Sequence, residues 1–287
     1  MLRAALAGVI SATLFACASA PEEADVEDEG ALKANAPAAF DATLTRFSPE
    51  EAVALTRYRA DAATLAAFKS EIDQRARGRE GGDYRAFLNA VAGKISGDTS
   101  DFGPLSPDDP LRKNLVDEER VAIWIYSTDN IYDAMNGALR KSSTLCREAH
   151  PRACPAAAFE ALRPYANTIK VLSSALNKLP PSQEAVVHRG TKAEYLSAYQ
   201  KSATVVEAPF LSTSANGSVP EDFRGTGTMQ ITHKTCPLIG MLSEKPYEGE
   251  VLCPPGSKLR VDRREERTEK VDGKDVTSVT VAMTRVD

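Results

Sequence analysis

The segment YEGEVLCPPGS, Tyr247 to Ser257, holds the residues of this chain best suited to chemistry. It sets Glu248 and Glu250 two positions apart where a loop becomes a strand. In a strand, residues i and i+2 point to the same face about 6.6 Å apart, so two carboxylates at that spacing can converge on one ligand. Two carboxylates so placed invite a chemical reading. An isolated Glu-x-Glu is far more often a solvated strand face, so the meaning of the pair rests on what accompanies it.

Two other strand ends supply complementary groups. AVVHRG ends a β-rich run with Arg189 and Gly190, and PFLSTS ends another with Ser212, Thr213 and Ser214. An arginine is a planar fork of donors that keeps its charge at all relevant pH, which suits a diphosphate better than the point charge of a lysine. Gly190 lets backbone approach a ligand closely. Upstream, AIWIYSTDNIYDAMNGALR reads as helix and presents Tyr126, Tyr132 and Asn136. Set against the family that these motifs resemble, the spacing there favours Tyr132 with Asn136 over Tyr126.

In this order the Arg, the Ser-Thr-Ser run and the Glu-x-Glu pair resemble the Arg-Ser-Glu class of mono-ADP-ribosyltransferases. That class includes clostridial binary toxins and vertebrate arginine-modifying ectoenzymes. The likeness covers about Asp109 to Asp287. It implies a β-rich core of two packed small sheets around an NAD cleft, with NAD as co-substrate and no metal. It also implies site residues: Arg189, Gly190, Ser212, Thr213, Ser214, Tyr132, Asn136 and Glu250 toward the dinucleotide, with Phe223 against nicotinamide. By the same resemblance Glu250 serves the breaking bond, Ser212 orients it, and Glu248 with Tyr247 receives an arginine of a protein acceptor. An NAD glycohydrolase on the same fold, or a non-catalytic envelope lipoprotein acting as a binding module, are the rival readings.

The elements that must position these groups follow from periodicity and turn signals. Helices are expected over Pro49 to about Arg77 with Ser48 as cap, Asp83 to Ile95, Val116 to Lys141 in two parts around Ser127 to Asn130, and Ala156 to Leu179. Ser96 to Asp109 is rich in Gly, Pro, Asp and Ser and reads as loop. After Pro180 come short β-rich runs: AVVHRG, TVVEAPFLSTS, TGTMQITH, PLIGMLS, EVLCPPGS, KLRVDRREE and TSVTVAMTRV, with Val271-Asp272-Gly273-Lys274 as a hairpin turn. The fold class is therefore α+β, helices first and sheet later.

Segment boundaries follow from composition. Met1 to Arg3 and the short apolar run Ala4 to Ala16 read as an export signal, and Leu14-Phe15-Ala16-Cys17 resembles a bacterial lipobox with Cys17 as the lipidated residue. Cleavage after Ala20 is the alternative, although it would leave Pro21 first. Residues 18–44 are an acidic tether too poor in large apolar groups to fold alone. Residues 45–108 then form a helical N-terminal extension and 109–287 the transferase domain. The expected location is a lipoprotein in the periplasm or at the outer surface, or a secreted protein, with the membrane met only through a lipid on Cys17. A formal charge of −5 and the absence of any dense basic run exclude nucleic acid as an expected partner. Beyond Cys17 the cysteines are Cys146, Cys154, Cys236 and Cys253. Three pairings are possible, and we expect Cys146 with Cys154 and Cys236 with Cys253. CREAHPRAC also offers Cys146, His150 and Cys154 as metal ligands, but Pro151 breaks the helix that would align them and a fourth ligand is not evident.

Overall fold

The computed structural model describes residues 55, 57–76, 83–98, 103–128, 131–149, 154–215, 217 and 225–286. Cys17, Ser48 and Phe223 lie outside the described residues, as do the expected signal and tether.

The first described helix, α1, is Ala62–Ala76. The helix expected from Pro49 to about Arg77 is interrupted: Leu55 is helical but residues 58–61 are not, and Pro49 itself lies outside the described residues. Asp61 takes the cap instead, accepting the Thr64 N–H at 2.7 Å. Just before it, the Ala60 N–H is drawn to Ser174 Oγ at 2.9 Å, a tertiary bond that periodicity does not reveal. Helix α2, Tyr84–Ser96, begins at the Asp83 cap and ends at Gly97, whose φ of 85° admits glycine best. A Cβ on Gly97 would come within 2.6 Å of Pro104 N, so the following loop also requires glycine. The short α3, Pro110–Lys113, is capped by Asp109.

Helix α4, Asp117–Tyr126, carries three acids in its first turn, which complement the positive end of the helix dipole. One of them, Glu119, is fully buried and holds the Ser174 hydroxyl at 2.7 Å and the Lys178 ammonium at 2.7 Å. Helix α5, Tyr132–Ala149, is joined to the start of α6, Ala156–Leu162, by the Cys146–Cys154 disulfide. After the 3-10 turn Arg163–Tyr165 comes α7, Ala166–Lys178. Its free N–H groups at Asn167 and Thr168 are met by the buried Glu71 of α1 at 2.8 and 3.1 Å. Leu55, Phe68 and Val91 join Ile123 and Leu172 in one apolar core, so the helices before residue 109 share their interior with those after it.

Among the described residues, seven strands make one mixed sheet in the order β2-β6-β7-β4-β1-β3-β5. They are β1 Val186–Thr191, β2 Thr204–Glu207, β3 Leu211–Ser214, β4 Gly227–Thr232, β5 Glu250–Cys253, β6 Ser257–Val271 and β7 Lys274–Arg285. β4 and β7 pair in parallel and the other neighbours are antiparallel. β1 meets β3 through the single pair His188↔Ser214 but meets β4 through a full ladder, so the sheet divides at that joint into a larger part and the β3–β5 pair. A second apolar core, with Val187, Ile231, Val251 and Val281, lies on the sheet and contains the Cys236–Cys253 disulfide.

Two expectations change here. TVVEAPFLSTS forms two strands, since Pro209 has no N–H for a ladder, and Ala208 to Phe210 carries the chain from the β2 edge across to β3. PLIGMLS is not a strand: it contains the 3-10 turn Gly240–Leu242, and only Leu238 bridges to Val251. The last hairpin turns at Asp272 and Gly273, with φ of 49° and 78°, the paired positive values that match strand twist. No helix of the described residues is long and apolar enough to cross a membrane.

Candidate active site

A cleft of about 260 Å³ opens where α4 and α5 face β1, β3 and β5. Its chemistry centres on Glu250, the first residue of β5, which is only 6 % exposed. Ser212 Oγ donates to Glu250 Oε1 at 2.7 Å, and Arg189 Nη1 donates to the Ser212 carbonyl at 2.7 Å. Three elements distant in sequence thus meet through two short bonds.

Burial pushes the Glu250 carboxyl up to about 7, because a charged carboxylate loses its water there. The Ser212 hydroxyl opposes the rise, the neighbouring Glu248 charge adds to it, and Arg189 and the Ser243 hydroxyl pull it back. Glu250 is therefore a carboxylate poised near neutrality in a site that strengthens its field.

The two acids share the cleft by a different route from the one strand alternation suggests. Glu250 is in β5, but Glu248 ends the 3-10 turn Pro246–Glu248, and Gly249 between them has a φ of 56°. That left-handed glycine turns the chain so that both side chains face the same cleft. β3 supports the turn: Ser214 Oγ donates to the Glu248 carbonyl at 2.8 Å, Ala215 N–H to the Gly249 carbonyl at 3.0 Å, and Thr213 Oγ1 to Val251 O at 2.6 Å. Behind it, the backbone packs closely on Gly240, where a Cβ would lie 3.0 Å from Glu250 N.

The helical wall is tied to the sheet through Asn136, which is 4 % exposed. Its Nδ2 donates to Tyr126 Oη at 3.2 Å and its Oδ1 accepts the Phe210 N–H at 3.1 Å. Tyr126 is itself buried against Phe210, with ring centroids 5.5 Å apart. Burial, then the charge of Glu250, drives the Tyr126 hydroxyl upward, so it stays protonated.

The NAD:arginine ADP-ribosyltransferase family model matches residues 94–276, well over half of the chain. The chain belongs to this family. The NAD(+)--protein-arginine ADP-ribosyltransferase Tre1 of Serratia proteamaculans is 31 % identical over 155 residues, which cover 53 % of this chain and 30 % of that protein. A putative NAD(+)--arginine ADP-ribosyltransferase, Mav, of Mycobacterium avium is 37 % identical over 97 residues, covering 32 % of this chain and 12 % of that one. The chain thus spans less than a third of the length of these curated relatives. The crystal structure of the ADP-ribosyltransferase HopU1 of Pseudomonas syringae pv. Tomato DC3000 has the same fold at a TM-score of 0.56 and 17 % identity, over 80 % of this chain and all of that one.

Within this ADP-ribosyltransferase core, Arg189, Gly190, Ser212, Thr213 and Ser214 line the cleft with Glu248 and Glu250. Tyr132 and Asn136 line it from α5. Tyr247 points outward at 65 % exposure beside Glu248. Tyr126, ranked below Tyr132 from spacing, is a lining residue as well. Residues not anticipated are Ser127, Asp133, Arg140, His188, Ser243 and Lys245. Arg140 had a readable signal, lying four residues after Asn136 and so on the same helix face. Ser243 and Lys245 fall in the loop Leu242 to Gly249, which the resemblance assigns to acceptor recognition, and only its folded course brings them beside the acid.

Proposed function

We propose that this chain transfers ADP-ribose from NAD to arginine side chains of a protein acceptor and releases nicotinamide. The observation that carries the reading is the buried Glu250 carboxylate held by Ser212, with Arg189 fastened to the same Ser212 residue. Two guanidinium groups, Arg189 and Arg140, line the cleft and suit the dinucleotide's diphosphate.

In the reaction the bond between ribose C1′ and the nicotinamide nitrogen breaks, and nicotinamide leaves with the bonding pair as a neutral ring. Positive charge passes to the ribose. Glu250, oriented by Ser212, stabilises that charge and holds the ribose hydroxyl; preorganised groups of this kind contribute about 3 to 4 kcal/mol each. A guanidino nitrogen of the acceptor then forms the new bond at C1′, and Glu248 takes its proton. Tyr247, exposed beside Glu248, meets the acceptor. Phe223 is assigned to nicotinamide from the sequence alone.

The remaining readings are proposals of the same kind. Residues 45–108 are a helical extension whose described residues Phe68, Ile72 and Val91 share the apolar core with Tyr126, and residues 109–287 form the transferase domain. The amino-terminal signal makes the protein an exported one, held at the membrane by a lipid on Cys17 or else secreted. The test uses labelled NAD with agmatine as a small guanidino acceptor. Glu250→Ala abolishes both transfer and NAD hydrolysis, whereas Glu248→Ala loses transfer and keeps hydrolysis. Equal transfer by wild type and Glu250→Ala would sink the mechanism, and hydrolysis without transfer in wild type would make the protein a glycohydrolase.

A further inference from the structure

Residues 243–249, which carry Tyr247 and Glu248, leave the sheet at one end and return to it at the other. Before them, the Ile239 N–H donates to the Glu250 carbonyl at 2.8 Å; at their far end, Ser214 Oγ donates to the Glu248 carbonyl at 2.8 Å. Within the loop, the Lys245 N–H donates to Ser243 Oγ at 3.2 Å and the Glu248 N–H to the Lys245 carbonyl at 3.1 Å. Its middle is fastened to the opposite wall of the cleft. There the Glu244 N–H donates to Ser127 Oγ at 2.8 Å, a bond between residues 117 apart in sequence. Ser127 follows Tyr126 at the C-terminal end of α4 and lines the cleft. Its single proton goes to the Trp124 carbonyl at 2.7 Å, which fixes the oxygen as an acceptor for the loop. Glu244 is exposed, so water can take its N–H, and the bond is not required to satisfy a buried group. What the bond fixes is where the loop stands beside the cleft.

Resting on the function proposed above, we propose that Ser127 is a positioning residue for the acceptor. It holds the loop against α4 so that Glu248 and Tyr247 stand where an incoming guanidino group reaches ribose C1′, and so it favours transfer to arginine over transfer to water. In both reactions the bond between C1′ and the nicotinamide nitrogen breaks and nicotinamide leaves with the electron pair. The new bond then forms either to a guanidino nitrogen, whose proton passes to Glu248, or to water, whose proton passes to solvent. Ser214 fixes the far end of the loop, beside the left-handed Gly249. Without the Ser127 bond the middle of the loop gains freedom, and a misplacement of about 1 Å can cost about a hundred-fold in the rate of an oriented reaction. Water needs no such orientation, and Glu250 is held by Ser212 from β3, outside the loop. Loss of one bond therefore weighs on transfer more than on hydrolysis.

The test compares the full chain as wild type, Ser127→Ala and Ser127→Thr. The first readout needs no NAD: hydrogen exchange followed by NMR reports the Glu244 amide. Its exchange rises about ten-fold in Ser127→Ala and returns to the wild-type rate in Ser127→Thr, which keeps the hydroxyl. Thermal melts of the three proteins agree within about 2 °C, because the released N–H meets water. The second readout uses labelled NAD and agmatine and takes the ratio of transfer to hydrolysis. Ser127→Ala lowers that ratio about ten-fold and raises KM for agmatine, and Ser127→Thr restores both. An unchanged ratio overturns the positioning role. So does an equal loss of both activities, which would make Ser127 a structural residue or a direct contact of the dinucleotide. Unchanged Glu244 exchange in Ser127→Ala overturns the tether whatever the activities. A wild-type chain with neither transfer nor hydrolysis instead overturns the functional reading, and the exchange measurement separates the two failures.

Discussion

Glu250→Gln should stabilise the protein at pH 8 and leave its stability at pH 4 unchanged, while abolishing transfer at every pH. The carboxyl ionises near 4.5 when the chain is unfolded and near 7 in the fold, mainly because burial strips its water. Below pH 4.5 both states carry the proton and the residue makes no pH-dependent contribution. As pH rises toward 7 the unfolded state releases its proton first, so unfolding becomes easier with each step; above 7 the full penalty stands. A rise from 4.5 to about 7 corresponds to about 3 kcal/mol of stability lost at pH 8 relative to pH 4. Gln keeps the shape and an oxygen for the Ser212 hydroxyl but never ionises, so it removes the penalty. For a chain of this size about 2 to 4 °C of Tm accompany each kcal/mol, which makes the expected gap roughly 6 to 12 °C at pH 8, closing at pH 4. Calorimetric melts of both proteins across that range measure it. Parallel Tm curves, with the same gap at both ends, would refute the argument that burial controls this carboxyl.

Three further outcomes follow from the same geometry. Asn136→Ala removes the amide that joins Tyr126 Oη to the Phe210 N–H, and leaving that buried N–H unpaired lowers stability by about 1 to 3 kcal/mol in urea titrations; a loss under about 0.5 would show that the amide does not tie the two walls together. Gly240→Ala places a methyl 3.0 Å from Glu250 N and 3.4 Å from Pro246 O, so transfer to agmatine drops at least about ten-fold and KM for the acceptor rises; wild-type kinetics would mean the loop yields freely. Cutting the Cys236–Cys253 bridge with Cys236→Ser and Cys253→Ser lowers stability by about 3 kcal/mol, since it closes the segment carrying both acids; an unchanged denaturation midpoint counts against that.

Some of the site was legible because the signal was local. Arg189 and Ser212 sit toward the ends of two short β-rich runs and Glu248 and Glu250 where a loop enters a third, and the order of those runs pointed to one family. Asp83 and Gly97 bound α2 by side-chain and backbone rules that act within one turn. Other parts depended on distant partners. The break before α1 comes from a bond between Ala60 and Ser174, and the 3-10 course of Gly240–Leu242 from its packing behind β5, so neither shows in residue periodicity.

By itself, the amino-acid sequence determined the helices-then-sheet order and the identity of the Arg, Ser and Glu residues, and it narrowed four cysteines to an expected pairing that the structure bonds. These are consequences of composition and short-range pattern. Only the tertiary structure decided that Glu248 reaches the cleft from a 3-10 turn through a left-handed Gly249, and that Glu250 is buried, carrying its carboxyl to about 7. It alone placed Ser243 and Arg140 beside the motif residues. Burial and long-range hydrogen bonds belong to the packed chain, because the groups that line the cleft with Glu250 come from α4, α5, β1, β3 and a loop at once.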